Sequence, residues 1–166
     1  MVLPIFCFSQ QNNIESILLQ QITTQEKFQS INNSPEVLEL YIRQIGNENQ
    51  VFVSQLGMNL KLINQLGASN FISITNSGNN GLLTVEQIGH ANQYSSFTRG
   101  DEIELTLLQE GEFNNIRQRL IGNELTYTII QKGSHNEIQH YNESISSALI
   151  VSQQGNDMRL IIKTNN

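Results

Sequence analysis

Chemistry at a protein site needs proton-transferring, nucleophilic or metal-holding side chains at a fixed mutual distance. This chain has few. Its only aspartates are Asp101 and Asp157, and glutamates such as Glu86, Glu104 and Glu110 fall at outward or turn positions of the pattern described below. The paired carboxylates of glycoside hydrolysis are not spelled out by such a distribution. His90, His135 and His140 lack a ligand spacing, and the turns carry Gly and Asn rather than the aspartates of a calcium-binding solenoid. The side chain that does recur at fixed spacing is the carboxamide. Gln44, Gln65, Gln87, Gln109, Gln131 and Gln153 form one series. Asn49, Asn70, Asn92, Asn114 and Asn136 form a second, and Gln55, Asn76 and Asn142 occupy a sparser third. A carboxamide donates and accepts at once. Repeated at a fixed step, its chemistry is a hydrogen-bonded ladder rather than a reaction. The expectation is a chain that is not an enzyme, with no cofactor and no metal.

Ladders need elements that stack. Equivalent positions recur every 11 residues from Gln44 to Thr164, with one step of 10 between Gln55 and Gln65. Two residues after nearly every one stands a glycine: Gly46, Gly57, Gly67, Gly78, Gly89, Gly100, Gly111, Gly122, Gly133 and Gly155; Ser144 breaks the series. Alternate units differ, so the true repeat is 22 residues. Between the markers apolar residues alternate, as in Leu83 and Val85 before Gln87, or Ile72 and Ile74 before Asn76. Period-two alternation predicts half-buried strands, and the glycines predict the turns between them. Such short strands bury their apolar face only by stacking on neighbours. The fold predicted is all-β, a β-solenoid of strand-turn-strand repeats with two parallel sheets. The 10-residue step puts Lys61 at an inward position, and a bulge or register adjustment is expected beside it.

Uncharged polar residues make up the balance between 38% hydrophobic and 14% charged content. A net charge of −6 disfavours a nucleic-acid partner, and no apolar run is long enough for a transmembrane helix. Residues 1–9 are apolar, end in Cys7-Phe8-Ser9 and read as the remnant of a secretory signal cleaved before Gln10; an apolar first strand is the alternative. Residues 10–36 read as a leader or a degenerate first coil, with a short helix over 14–29 as runner-up, and 37–166 as the solenoid. The last repeat stays strand-like, with Leu160 and Ile162 inward and no capping helix pattern after Thr164, so an open strand edge is expected there.

The pattern Ser/Asn-x5-Gln-x-Gly-x-x-Asn-x5-Gln at a 22-residue period, over roughly residues 38–164, resembles the curlin repeat of bacterial curli fimbriae. The resemblance implies a left-handed β-solenoid, secreted and assembled into cell-surface amyloid fibres that serve adhesion and biofilm matrix. It implies other curlin subunits and the outer-membrane curli secretion machinery as partners. The chain departs from the major-subunit pattern. The second Gln survives only at Gln55 and is elsewhere Asn76, Thr98, Leu120, Asn142 or Thr164. Ser96, Gln118 and His140 make later inward positions polar, Met158 replaces the last Asn, and basic residues gather late. This wear is more similar to the minor, nucleating subunit than to the self-polymerising major one, which stays the alternative. A monomeric solenoid for ice or polysaccharide is a third reading, suggested by the outward column Thr84, Thr106 and Thr128, which ordinary β-propensity explains better.

Overall fold

A computed structural model describes residues 3–8, 39–143 and 147–164. The expected leader at 10–36, its alternative helix and Ser144 lie outside the described residues. Thirteen strands and no helix occur among those described: β1 (Leu3–Phe8), β2 (Glu39–Asn47), β3 (Gln50–Leu56), β4 (Asn59–Ala68), β5 (Phe71–Ser77), β6 (Gly81–His90), β7 (Gln93–Arg99), β8 (Glu104–Glu112), β9 (Asn115–Ile121), β10 (Leu125–Ser134), β11 (Glu137–Asn142), β12 (Ser147–Asn156) and β13 (Arg159–Thr164). Even-numbered strands stack in order into a six-stranded sheet, and odd-numbered strands into a seven-stranded one. From β2 onward every pairing is parallel and in register with the repeat, as in Gln87↔Gln109 or Ile116↔Ile138. The two sheets face each other, and the chain winds between them as a β-solenoid. Strand β1, within the segment read as a signal remnant, is the exception. It runs antiparallel along the edge of β3, with Leu3 opposite Gln55 and Phe8 opposite Gln50.

The alternation of the sequence becomes the alternation of burial. Val85, Leu105, Leu107, Tyr127 and Ile129 point inward from the six-stranded sheet, and Ile72, Ile74, Tyr94, Ile116 and Ile138 meet them from the seven-stranded sheet. This dry layer provides the main driving force, at about 25 cal/mol per Å² of apolar surface removed from water.

Except at Gly57, each described glycine turn reverses the chain with two left-handed residues, the glycine and the residue two positions after it. Gly111 has φ 121° and Phe113 φ 54°, and the pairs Gly78/Asn80 and Gly155/Asp157 repeat this. At Gly111 the requirement is doubled, because a Cβ there would sit 1.9 Å from the carbonyl oxygen of Gly133 in the next coil. The turns are stacked so closely that only glycine fits.

The 10-residue step is absorbed beside the turn glycine Gly57, and of the two adjustments expected there the bulge is absent. No bulge forms: β2 pairs with β4, and β3 with β5, without interruption. The missing residue comes out of the turn, where Gly57 and Met58 alone connect β3 to β4. That turn has Gly57 in the left-handed region but no second left-handed residue. Shortening a turn leaves every ladder bond in place, whereas a bulge would break one.

Candidate functional site: amide ladders and strand edges

The six-stranded sheet carries the Gln series at the inward end of each strand. Gln44 Nε2 donates to Gln65 Oε1 at 2.6 Å, and the relay continues through Gln87 (2.9 Å), Gln109 (2.7 Å), Gln131 (3.0 Å) and Gln153 (2.8 Å). The second Nε2 hydrogen of Gln65, Gln87 and Gln109 goes to the backbone oxygen of Gln50, Phe71 and Gln93, so each amide also ties one sheet to the other. The ladder has a direction, since every amide donates towards the C-terminal end. At its start Gln44 Oε1 is buried without a partner.

The Asn series lies in the turn and runs the other way. Asn49 Oδ1 accepts from the backbone N–H and the Nδ2 of Asn70, both at 3.0 Å. Asn70, Asn92 and Asn114 accept in turn from the backbone N–H of the next Asn. Each Nδ2 also donates forward to the glycine oxygen of the following coil, as from Asn92 to Gly111 at 2.9 Å. The series ends at Asn136, whose Oδ1 takes the backbone N–H of Met158. Met158 has no amide with which to continue.

The third series does not become a ladder. Gln55, Asn76, Thr98, Leu120, Asn142 and Thr164 do form one column of the seven-stranded sheet. Gln55, however, gives its Nε2 to the backbone oxygen of Asn59 and accepts from Lys61 Nζ. Asn76 Oδ1 is buried without a partner, and Asn142 Nδ2 donates to the hydroxyl of Tyr127 across the core. An amide column works only where neighbours on both sides are amides, and Thr98 and Leu120 interrupt this one.

Polar groups behind the worn column form local networks instead. Tyr94, fully buried, donates to Gln118 Oε1 at 2.8 Å, and burial raises its pKa above the usual tyrosine range. Gln118 Nε2 donates to His140 Nδ1 at 3.4 Å. The His140 ring packs against Tyr127 at 4.8 Å between centroids, and its Nε2 is without a partner. Burial lowers the His140 pKa to about 4, so the ring is neutral near pH 7. Lys61 is fully buried, as the repeat count requires, and desolvation lowers its pKa to about 8. It lines a cavity of about 20 Å³ with Asn76, Gly81 and Thr98, space on the scale of one water molecule.

The surface brings together fewer predicted residues. Thr84, Thr106 and Thr128 do align in an outward column, bounded by Leu62 and Ile150. His90 and His135 are exposed, and each lies against the ring of Phe113, at 5.4 and 5.1 Å. No group of three His, Cys, Asp or Glu side chains able to hold a metal occurs among the described residues. No helix among them is long and apolar enough to cross a membrane.

The sequence reading missed the second left-handed residue of each turn, because Glu48, Ser69, Ala91 and Phe113 share no side-chain signature. It also missed the buried hydroxyls of Tyr94 and Tyr127, although their place in the alternation marks them as inward. The fold and the ladders together define a β-solenoid with in-register parallel strands. Comparison of the chain with family models, curated proteins and solved structures finds no match.

Proposed function

We propose that this protein is a structural subunit of an extracellular, curli-type amyloid fibre, acting without catalysis. The observation that carries the reading is the unfinished ladder. Half-buried Gln44 in the edge strand β2 has a buried Oε1 with no donor, at the start of a relay in which every later Oε1 accepts from the preceding amide. A buried acceptor left unpaired costs about 1–3 kcal/mol, and a further coil stacked on β2 supplies the missing donor. Among the described residues β2, β12 and β13 also have no strand beyond them, and strand edges of this kind template further pairing. The curlin-like repeat supports secretion, a cell-surface location and other curlin subunits as partners.

The nucleating role is favoured over the major fibre subunit by the interrupted third column and the Met158 terminus of the Asn series. Purified 10–166 followed by thioflavin fluorescence and fibre diffraction tests the fibre reading. Cross-β spacings near 4.8 and 10 Å are expected; a persistently soluble monomer would sink it. Sub-stoichiometric addition to a separate curlin subunit should abolish that subunit's lag phase. An unchanged lag overturns nucleation and leaves the bulk-subunit role.

A further inference from the structure

The charges of this acidic chain are segregated. Along the outer surface of the seven-stranded sheet, Phe97, Arg119, Tyr141 and Lys163 occupy one cross-strand column, alternating ring and cation. Arg99, Arg117 and Arg159 flank it, all exposed. Among the described residues this surface thus holds Arg99, Arg117, Arg119, Arg159 and Lys163, and of the acidic side chains only Glu137 and Glu143. Glu137 pairs with Arg159 at 3.0 Å and Glu143 with Arg119 at 3.5 Å. Arg99, Arg117 and Lys163 have no acidic partner among the described residues. A shallow hollow of about 370 Å³ opens between Arg119, Tyr141, Ile161 and Lys163.

The opposite charge lies on a different side of the same molecule. The turn from β7 to β8 carries Asp101 and Glu102, with Glu104 opening β8, and all three are exposed. Glu102 holds the left-handed position of the turn, which fixes its backbone. The turn is a convex edge, at the same level along the solenoid axis as the start of the basic column.

We infer that the basic, ring-lined surface of the seven-stranded sheet docks the acidic β7–β8 turn of a second copy lying alongside. Both halves of the contact are present on every copy, at matching height, and they lie on different sides, so the contact is heterologous and open-ended. The chain's overall −6 repels copies at long range, but within the screening distance of about 8 Å at physiological salt the local pairing decides. Exposed ion pairs are individually weak. Two single copies therefore meet transiently, and repetition along aligned stacks makes the association lasting. Lateral bundling of fibres rests on the fibre reading above; the pairwise contact does not.

Zero-length carbodiimide coupling of a mixture of isotopically light and heavy protein tests the pairwise contact. An intermolecular Lys163–Glu102 or Lys163–Glu104 link, reduced at least fivefold in 0.5 M salt, is expected. The variant Arg117→Glu/Arg119→Glu should lose the link and give unbundled fibres by electron microscopy. Adding Glu102→Lys and Glu104→Lys to it should restore bundling. If fibres form and bundle equally in all variants and salts, the lateral contact is overturned while the fibre reading stands. If no fibres form but the salt-sensitive link is found, the fibre reading fails and the contact survives. Absence of any intermolecular link in the wild-type protein overturns the contact. Binding of an added polyuronate in place of that link would assign the surface to an external polyanion.

Discussion

The two sheets solve the same packing problem with different polar chemistry. In the six-stranded sheet five inward glutamines, Gln65 to Gln153, each accept from the one before, and every rung is alike. In the seven-stranded sheet the equivalent column reads Gln, Asn, Thr, Leu, Asn, Thr, and its polar groups turn sideways to Lys61, Tyr127 or nothing. The difference teaches that an amide stabilises a stack through its neighbours rather than by its identity. With Thr98 and Leu120 between them, Asn76 is left with an unpaired Oδ1 and Asn142 turns across the core to Tyr127.

The largest break in this contrast should come from the turns that both sheets share. Gly111→Ala puts a methyl group 1.9 Å from the Gly133 oxygen in a left-handed turn. A loss of more than about 4 kcal/mol is expected, read as failure to give a cooperative urea transition in the soluble chain.

The buried ionisable groups come next, and both sit on the worn side or at its short turn. Lys61 has its folded pKa depressed to about 8 from 10.5. The unfolded chain therefore binds more protons between those values, and stability rises with pH across that window. Below about pH 8 the full penalty, about 3 kcal/mol, is present. Lys61→Met should gain roughly that much at pH 7, and the gain should shrink towards pH 10.5. A gain independent of pH would show that packing rather than charge is responsible.

His140 behaves in the same sense at lower pH. Its folded pKa of about 4 lies below the usual 6.5, so the unfolded chain takes up the proton first. Stability is lost as pH falls from 6.5 to 4, by about 3 kcal/mol at the end of that window. His140→Leu should remove this part of the acid sensitivity in urea midpoints measured from pH 7 to 4.

A matched pair of substitutions then compares the columns directly. Gln109→Leu deletes bonds from Gln87, to Gln131 and to the Gln93 backbone, and should cost about 2 kcal/mol. Asn76→Leu removes an amide whose Oδ1 is already unpaired beside the small cavity; its effect should stay below about 1 kcal/mol and favour the folded state. Equal costs at the two sites would refute the distinction between kept and worn columns.

Much of the architecture was legible because it is local and repeated. Apolar alternation in Leu105-Thr106-Leu107 fixes which side chains point inward, and a glycine every 11 residues fixes where the chain turns. The Gln and Asn series were legible as columns for the same reason, since a constant step in sequence becomes a constant step in space. Of the bulge or register adjustment expected beside Lys61, the bulge is absent, because the turn gives up a residue without costing a ladder bond. The period, the strands, the two-sheet solenoid and the inward set all follow from local residue order. Which amides bond to one another, in which direction each ladder runs, and the unpaired Oε1 at Gln44 emerge in the folded stack. Those choices depend on the coil above and the coil below, and a hydrogen bond has no partner until both are in place.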